Sequence, residues 1–200
     1  MVNTLWWSMA SSSRDASTHE DNCAGIVLAA GSGTRFGGPK APYEFEGQRL
    51  IDRAVDTLAR GGADPIVAVL GAWVGDVPNC ELVINPDFES GMGSSLKVAL
   101  KHLIESHPEA DAAIITLVDL IDLTPEAVER MRLSTGDLLQ ATYNGEIGHP
   151  VKLGREHWAP LLHELSGDMG ARAYLKKHGV TEIELSEFGN GTDLDFRPTV

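Results

Sequence analysis

The chain has 200 residues, of which 42% are apolar and 22% are charged, and these proportions are ordinary for one globular domain with a sizeable core. Two domains within this length would each be small. Sixteen basic residues against 29 acidic ones give a net charge of −13, which argues against binding of duplex nucleic acid and against docking on an anionic membrane. Local features must therefore overcome the overall charge if an anionic substrate binds.

The two cysteines, Cys23 and Cys80, lack metal-ligand spacing and are too few for a disulfide framework. A reducing cytoplasm is therefore the simplest location. No run approaches the roughly 18 consecutive apolar residues of a transmembrane helix, and the apolar stretch at residues 5–10 is too short for a signal-peptide core. Residues 1–22 are Ser-rich and polar after two tryptophans. We expect them to form a flexible tail, followed by a single domain over residues 23–200.

Short apolar runs alternate with helical spacing along most of the chain, which predicts strands and helices in turn. The run at residues 24–30 ends in a Gly-rich loop and is typical of a buried strand. Thr124 is a predicted N-cap, with proline at the first helical position after it. The predicted strands are residues 24–30, 65–70, 81–84, 112–118, 138–143 and 149–153, and a last one that ends at Leu185. The predicted helices are residues 49–61, 91–103, 156–165 and 170–178, and one that begins at residue 124.

Several of these strands are apolar on both faces. This predicts an α/β fold with a three-layer, Rossmann-like and mostly parallel sheet that carries helices on both faces. Ligands of such sheets bind beyond the carboxyl ends of the strands. The rule places the loop after residue 30, the segment at residues 91–95 and Asp119 on one edge of the sheet, because each follows a predicted strand.

The Gly-rich loop at residues 31–40 fits neither of the two common phosphate-binding patterns. A dinucleotide fingerprint would need glycine where the chain has Phe36, and a Walker loop would need no Pro39 before Lys40 and a hydroxyl residue where the chain has Ala41. The glycines can still turn backbone N–H groups toward a polyphosphate, and Arg35 and Lys40 add positive charge. A flexible connection with two solvated cations is the structural alternative.

The segment at residues 28–37, followed by Lys40, resembles the signature of the molybdenum-cofactor cytidylyltransferases and guanylyltransferases, a group of MobA-like NTP transferases. Four further segments resemble later blocks of that family in the same order, at residues 85–96, 148–151, 165–172 and 193–195. The resemblance implies a fold of the nucleotide-diphospho-sugar transferase type. The pair Ala29-Ala30 is more similar to the cytidylyl branch than to the guanylyl branch.

One departure from the family lies after the fourth strand. The family often has Asp-Gln-Pro there, whereas this chain has Asp119-Leu120-Ile121. The aspartate is kept, but the residues that shape the neighbouring loop differ, which puts the usual acceptor in doubt.

Nucleotidyl transfer needs charge neutralisation and in-line alignment at the α-phosphorus, with Mg²⁺ held by one or two carboxylates. Asp119, at the end of an apolar strand, is the first candidate ligand, and Asp195 is the second, with Asp193 as its substitute. The structural alternatives are a helix-capping or turn carboxylate at Asp119 and a solvated acidic pair near the end of the chain. Arg35, Lys40 and Asp119 are the candidate catalytic residues.

The family blocks also supply candidate binding residues. Ser94 and Ser95, at a helix start, have hydroxyl and N–H groups that can bind the base or ribose, or can simply cap the helix. On the acceptor side, His149 is equally compatible with a packed structural role, and Asp168 and Arg172 are equally compatible with a surface pair. The candidate nucleotide-binding residues are Leu28, Ala29, Ala30, Gly31, Ser32, Gly33, Arg35, Lys40, Ser94 and Ser95.

The resemblance implies transfer of CMP from CTP to a phosphorylated pterin of the molybdopterin type, with a molybdoenzyme or cofactor-delivery protein as a further partner. A sugar phosphate or polyol phosphate is an alternative acceptor, because the same loop and aspartates would serve it. The superfamily also resembles pigment-reducing, nicotine-blue-type oxidoreductases that use a nicotinamide cofactor. A non-catalytic nucleotide sensor on the same fold is the last alternative.

Overall fold

The computed structural model describes residues 22–165 and 171–197. The expected tail at residues 1–22 lies outside the described residues except for its last member, and so does the candidate residue Asp168. The strands are β1 (Cys23–Leu28), β2 (Glu44–Phe45), β3 (Gln48–Arg49), β4 (Ile66–Leu70), β5 (Glu81–Ile84), β6 (Ala112–Leu117), β7 (Leu138–Tyr143), β8 (Glu146–Gly154) and β9 (Thr181–Glu184). The α-helices are α1 (Leu50–Arg60), α2 (Met92–Ser106), α3 (Pro125–Leu133), α4 (Trp158–Glu164) and α5 (Arg172–His178).

Seven strands form one sheet in the order β5-β4-β1-β6-β8-β7-β9. Strands β5, β4, β1 and β6 are parallel, β8 runs antiparallel to both β6 and β7, and β9 is parallel to β7. The sequence-based prediction of a mostly parallel α/β sheet is confirmed. Because β1 is flanked by β4 and β6, the loops after β1 and β6 emerge side by side at the carboxyl edge.

Each face of the sheet is covered by helices, and side chains from β1 alternate between the two cores. Val27 packs in the core that contains α1 and α3, with Leu50 and Met131 among its members. Ile26 packs in the opposite core, which contains α2, α4 and α5 and includes Leu100 and the fully buried Trp158. This arrangement gives the three predicted layers. The carboxyl end of β1 is buried between the two layers of helices.

The helix and strand ends agree with the sequence signals in most places. Thr124 caps α3, with its side chain accepting a hydrogen bond of 3.3 Å from Ala127 N, and Pro125 is at the first helical position. Helix α2 ends at Ser106 rather than at Leu103, and β8 begins at Glu146 rather than at His149. Its first residues are exposed, so they show no apolar pattern. Among the described residues, no helix has the length and apolarity that crossing a lipid bilayer requires.

Candidate functional site

The Gly-rich loop leaves the carboxyl end of β1 and closes on itself. Gly38 N donates a hydrogen bond of 3.0 Å to Gly33 O, and Gly33 has a φ of +58°. A Cβ atom at Gly33 would overlap the Gly38 carbonyl oxygen. The loop therefore depends on glycine at this position both for its backbone conformation and for its close approach.

An open cleft of about 350 Å³ lies between this loop and the start of α2. The backbone of the loop forms one wall, and the turn before α2 forms the other. Of the predicted nucleotide-binding residues, all but Arg35 and Ser94 line the cleft. The lining residues are Leu28, Ala29, Ala30, Gly31, Ser32, Gly33, Lys40, Phe88, Glu89, Gly91, Met92, Ser95, Leu117, Val118 and Asp119.

Lys40 and Asp119 form the charged centre of the cleft. Lys40 Nζ lies 2.6 Å from Asp119 Oδ2 and 3.9 Å from Asp195 Oδ1. The Lys40 and Asp119 side chains are largely buried, with 16% and 18% of their surface exposed, whereas that of Asp195 is 56% exposed. The structure thus brings together three residues that are far apart in the sequence and that were predicted to act together.

The segment near the end of the described chain returns to β6 and places its aspartates beside Asp119. Asp193 forms an antiparallel bridge with Leu120, and Leu194 N donates a hydrogen bond of 2.9 Å to Asp119 O. Loss of water around the Asp193 carboxyl, together with the charges of Asp119 and Asp195, raises its pKa from 3.8 to about 6. Asp119 and Asp195 therefore lie within 4 Å of the Lys40 ammonium, and Asp193 is close enough for the charges of all three to affect its pKa.

This set of side chains fits a hard divalent cation. Carboxylate oxygens are the ligands that Mg²⁺ prefers, and it usually takes only one or two of them together with substrate phosphates. Burial and then the neighbouring carboxylates raise the pKa of Asp193, and a cation would offset the repulsion among these carboxylates. Asp119, with Asp195 or Asp193, is therefore the group of residues suited to hold it.

The two serines at the start of α2 have different surroundings. Asn85, which is fully buried, donates from Nδ2 to Ser94 Oγ at 2.8 Å and to Ser95 Oγ at 3.0 Å. Ser94 Oγ itself donates to Gly91 O at 2.7 Å and does not line the cleft, whereas Ser95 does. Ser94 thus shapes the turn, and Asn85 positions both hydroxyls.

Arg35 lies in the exposed tip of the Gly-rich loop, outside the lining of the cleft. A second arginine reaches the same loop from the end of the chain. Arg197 Nη2 donates to Gly37 O at 3.4 Å, and its guanidinium lies 5.3 Å from the ring centroid of Phe36. Sequence reasoning missed Arg197, because nothing in its spacing links it to a loop 160 residues earlier.

A second cleft, of about 340 Å³, contains two of the predicted acceptor-side residues, His149 and Arg172. Met92 lines both clefts, so they adjoin at the start of α2. Burial lowers the pKa of His149, and the charge of Asp119 opposes this shift only in part. His149 is therefore a neutral ring at pH 7.

The chain is similar to known proteins over most of its length. A family model of the MobA-like NTP transferase domain matches residues 25–182. The nicotine blue oxidoreductase of Paenarthrobacter nicotinovorans is 33% identical, and the match covers 86% of this chain and 91% of that protein.

Two solved structures have the same fold. A nucleotidyl transferase from Methanothermobacter thermautotrophicus has a TM-score of 0.72 at 18% identity, covering 87% of this chain and 92% of that one. Rv0371c of Mycobacterium tuberculosis, in a complex with manganese, has a TM-score of 0.66 at 24% identity, covering 82% and 88%. At such low identity these two likenesses establish the architecture alone.

Proposed function

The chain belongs to the family of MobA-like NTP transferase domains, and from this premise we propose that it is a Mg²⁺-dependent cytidylyltransferase. It transfers CMP from CTP to a phosphorylated pterin of the molybdopterin type and releases pyrophosphate. The observation that carries the proposal is the convergence of the Gly-rich loop, Lys40 and the carboxylates of Asp119 and Asp195 on one cleft.

In the proposed reaction, a phosphate oxygen of the acceptor attacks the α-phosphorus of CTP. The bond from that phosphorus to the oxygen bridging the α- and β-phosphates breaks, and the electron pair leaves with pyrophosphate. A phosphate monoester has a second pKa of about 6 and is already a nucleophile at neutral pH. No general base is required, in keeping with a cleft whose lining, among the described residues, includes no histidine or cysteine.

The chain's own residues neutralise and align the charges. Residues 31–33 of the loop line the cleft, and their backbone N–H groups would donate to phosphate oxygens. Lys40 supplies a compact positive charge, and Asp119 holds the ammonium in place at 2.6 Å. Bound between Asp119 and Asp195, Mg²⁺ would supply Lewis-acid stabilisation of the transferring phosphoryl group.

The second cleft supplies a place for the acceptor. It adjoins the first cleft at Met92, so a bound acceptor would approach the α-phosphate from that side. Arg172 is solvent-exposed at this cleft and can pair with an acceptor phosphate, while the neutral His149 ring can hydrogen-bond a pterin edge. Asp168 completes the proposed acceptor-side set, as the family resemblance implies.

The choice of CTP rests on Ala29 and Ala30, which line the cleft at the carboxyl end of β1. This pair is the feature that resembles the cytidylyl branch. The test is pyrophosphate release from CTP, GTP and ATP with Mg²⁺, each with molybdopterin or with a panel of sugar and polyol phosphates. Release that requires both CTP and molybdopterin supports the proposal. Release with a polyol phosphate instead would transfer the assignment to that acceptor, and no release with any pair would contradict transferase activity.

A second candidate is nicotinamide-dependent reduction of a conjugated pigment. The near full-length likeness to nicotine blue oxidoreductase favours it, and the two adjoining clefts could hold the two halves of a dinucleotide. The loop lacks the third glycine of the usual dinucleotide fingerprint and has Phe36 in its place. Oxidation of NADPH, followed at 340 nm with a quinoid pigment as acceptor, distinguishes this candidate from the first.

A further inference from the structure

A cluster of two histidines and two glutamates lies at the amino end of β5, away from both clefts. Glu81 is the first residue of β5, His102 lies in α2, and His107 follows the end of α2. His102 Nε2 is 2.6 Å from Glu81 Oε2, and His107 Nε2 is 3.0 Å from Glu81 Oε1. In both imidazole rings, Nε2 therefore faces the Glu81 carboxylate.

The remaining nitrogen of His107 is also engaged. His107 Nδ1 lies 3.1 Å from Glu109 Oε1, so a second carboxylate fixes the ring and leaves Nε2 facing Glu81. Histidines that bind metals usually have this arrangement, in which an outer carboxylate accepts from the ring N–H and orients the coordinating nitrogen.

The backbone around the cluster is held by its own hydrogen bonds. His107 N donates to Leu103 O at 3.0 Å, and His107 O accepts from Arg155 Nη1 at 3.0 Å. The His107 side chain is 16% exposed, that of His102 29% and that of Glu81 44%. The cluster is thus preorganised yet open to solvent on one side, from which an ion can enter.

We propose that Glu81, His102 and His107 form a binding site for a divalent transition-metal ion, with Zn²⁺ as the preferred occupant. Their ligand atoms all lie within 4.8 Å of one another. Zn²⁺ binds imidazole nitrogens and carboxylate oxygens at about 2.0–2.2 Å, so small side-chain rotations suffice to close the site. Three protein ligands leave the fourth tetrahedral position to water.

The nitrogen-rich donor set separates this site from the one beside Asp119. Imidazole suits Zn²⁺, whereas Mg²⁺ prefers carboxylates, phosphates and water. The two sites also lie at opposite edges of the sheet, since Glu81 begins β5 and Asp119 follows the carboxyl end of the parallel strand β6. Binding of Zn²⁺ at Glu81 is therefore independent of whether the cleft beside Asp119 transfers a nucleotide.

The expected consequence is structural. An ion bound to Glu81 and the two histidines would join the edge strand β5 to the end of α2. An ion that binds only the folded state stabilises it, so saturating Zn²⁺ should raise the Tm of the wild-type protein by several degrees.

The test is calorimetric titration of the metal-stripped, full-length protein with ZnCl₂ in excess MgCl₂, which occupies the carboxylate site. We expect one Zn²⁺ per chain with a Kd in the micromolar range or below. His102→Gln with His107→Gln should weaken binding at least 100-fold, and Glu109→Gln should weaken it about 10-fold or more through the orientation of His107. His163→Gln, at an exposed histidine of α4, is the matched control and should change nothing.

Visible absorption of the Co²⁺-substituted wild-type protein gives a readout that does not depend on any variant. A tetrahedral spectrum that Zn²⁺ abolishes at one equivalent supports the site. The proposal is overturned if wild type binds no Zn²⁺ below millimolar concentration, or if the double variant binds it as tightly as wild type. In either case the cluster is a set of ion-paired side chains that binds no metal.

Discussion

Lys40 is held between two carboxylates, at 2.6 Å from Asp119 and 3.9 Å from Asp195. In the proposed reaction its charge is needed most when charge develops on the departing pyrophosphate. We therefore expect Lys40→Ala to lower kcat for pyrophosphate release by about 100-fold or more, as removal of one preorganised donor typically does. The Tm should also fall, because the variant leaves the largely buried Asp119 carboxylate without its cation, so activity is compared at a temperature where both proteins are folded. Lys101→Ala, at an exposed position of α2, is the control, and full activity of Lys40→Ala would refute the assignment.

Asp119 and Asp111 flank the two ends of β6, which makes them a matched pair. Asp119→Asn removes one proposed cation ligand, so the Mg²⁺ concentration for half-maximal activity should rise about 10-fold or more, or turnover should be lost. Asp111→Asn, at the exposed amino end of the same strand, should leave the Mg²⁺ dependence unchanged. Activity titrations with MgCl₂ measure both, and equal curves for Asp119→Asn and wild type would exclude Asp119 as a ligand.

Single residues were predictable from the sequence where a motif or a strand end marked them. Lys40 follows a Gly-rich loop and Asp119 follows the most apolar strand, so both were identified as candidates. Arg197 gave no comparable signal, because its contact with Gly37 arises only when distant segments fold together. Asn85 begins a segment that resembles the family, but its hydrogen bonds to Ser94 and Ser95 became apparent only in the structure. The roles of Ser94 and Ser95 likewise separated only in the structure, where hydrogen bonds and cleft lining distinguish them.

At the scale of elements, the Gly-rich loop is closed by the contact of Gly33 with Gly38. Gly33→Ala introduces a left-handed backbone penalty of about 1–2 kcal/mol and an overlap with a carbonyl oxygen. We expect a loss of unfolding free energy of at least that size, or an opened loop with weakened nucleotide binding. Gly31→Ala is the control for stability, because a Cβ there meets no atom within 4 Å. Denaturant unfolding and nucleotide titration of both variants provide the measurement.

Glu184, at the end of β9, secures the turn between β7 and β8. Its carboxylate accepts hydrogen bonds from the Ser186 hydroxyl and from the backbone N–H groups of Ser186, Asn144 and Gly145. These bonds lower the pKa of Glu184 from 4.5 to about 2, and the bond from the Ser186 hydroxyl has the largest effect on it. The stabilisation they provide is therefore complete above pH about 4.5 and is lost as the pH falls towards 2.

From this shift we expect Glu184→Gln to lower the Tm at pH 7, with the deficit shrinking as the pH falls below 4.5. Thermal unfolding of wild type and variant across this range measures the difference. Glu182→Gln, at an exposed position of the same strand, should show a deficit close to zero throughout. A deficit for Glu184→Gln that is independent of pH would show that the carboxylate charge is not what stabilises the turn.

Elements with a strong apolar pattern were predicted to within a few residues. Strand β6 and helix α1 have clear buried faces, and the α3 cap was explicit in the sequence. The hairpin of β2 and β3 was not predicted, since each strand has only two residues and is partly exposed. The strand order could not be predicted from the sequence either. The placement of β8 between β6 and β7 depends on its pairing with both strands, which no local pattern specifies.

At the scale of the whole molecule, the charge of −13 opposes binding of any nucleoside triphosphate. Among the residues that the structure describes, Lys40 is the one cation that lines the cleft, against the carboxylates of Asp119 and Glu89. A triphosphate should therefore bind well only together with Mg²⁺, for which Asp119 and Asp195 are the proposed ligands. This dependence on a cation is the central physical requirement of the proposed function.

Isothermal titration of the full-length protein with CTP, GTP, ATP and NADPH, each with and without Mg²⁺, tests this requirement most directly. We expect CTP to bind more tightly than the other nucleotides and removal of Mg²⁺ to weaken its binding at least 10-fold. Binding of NADPH with no response to any triphosphate would contradict it and favour the oxidoreductase.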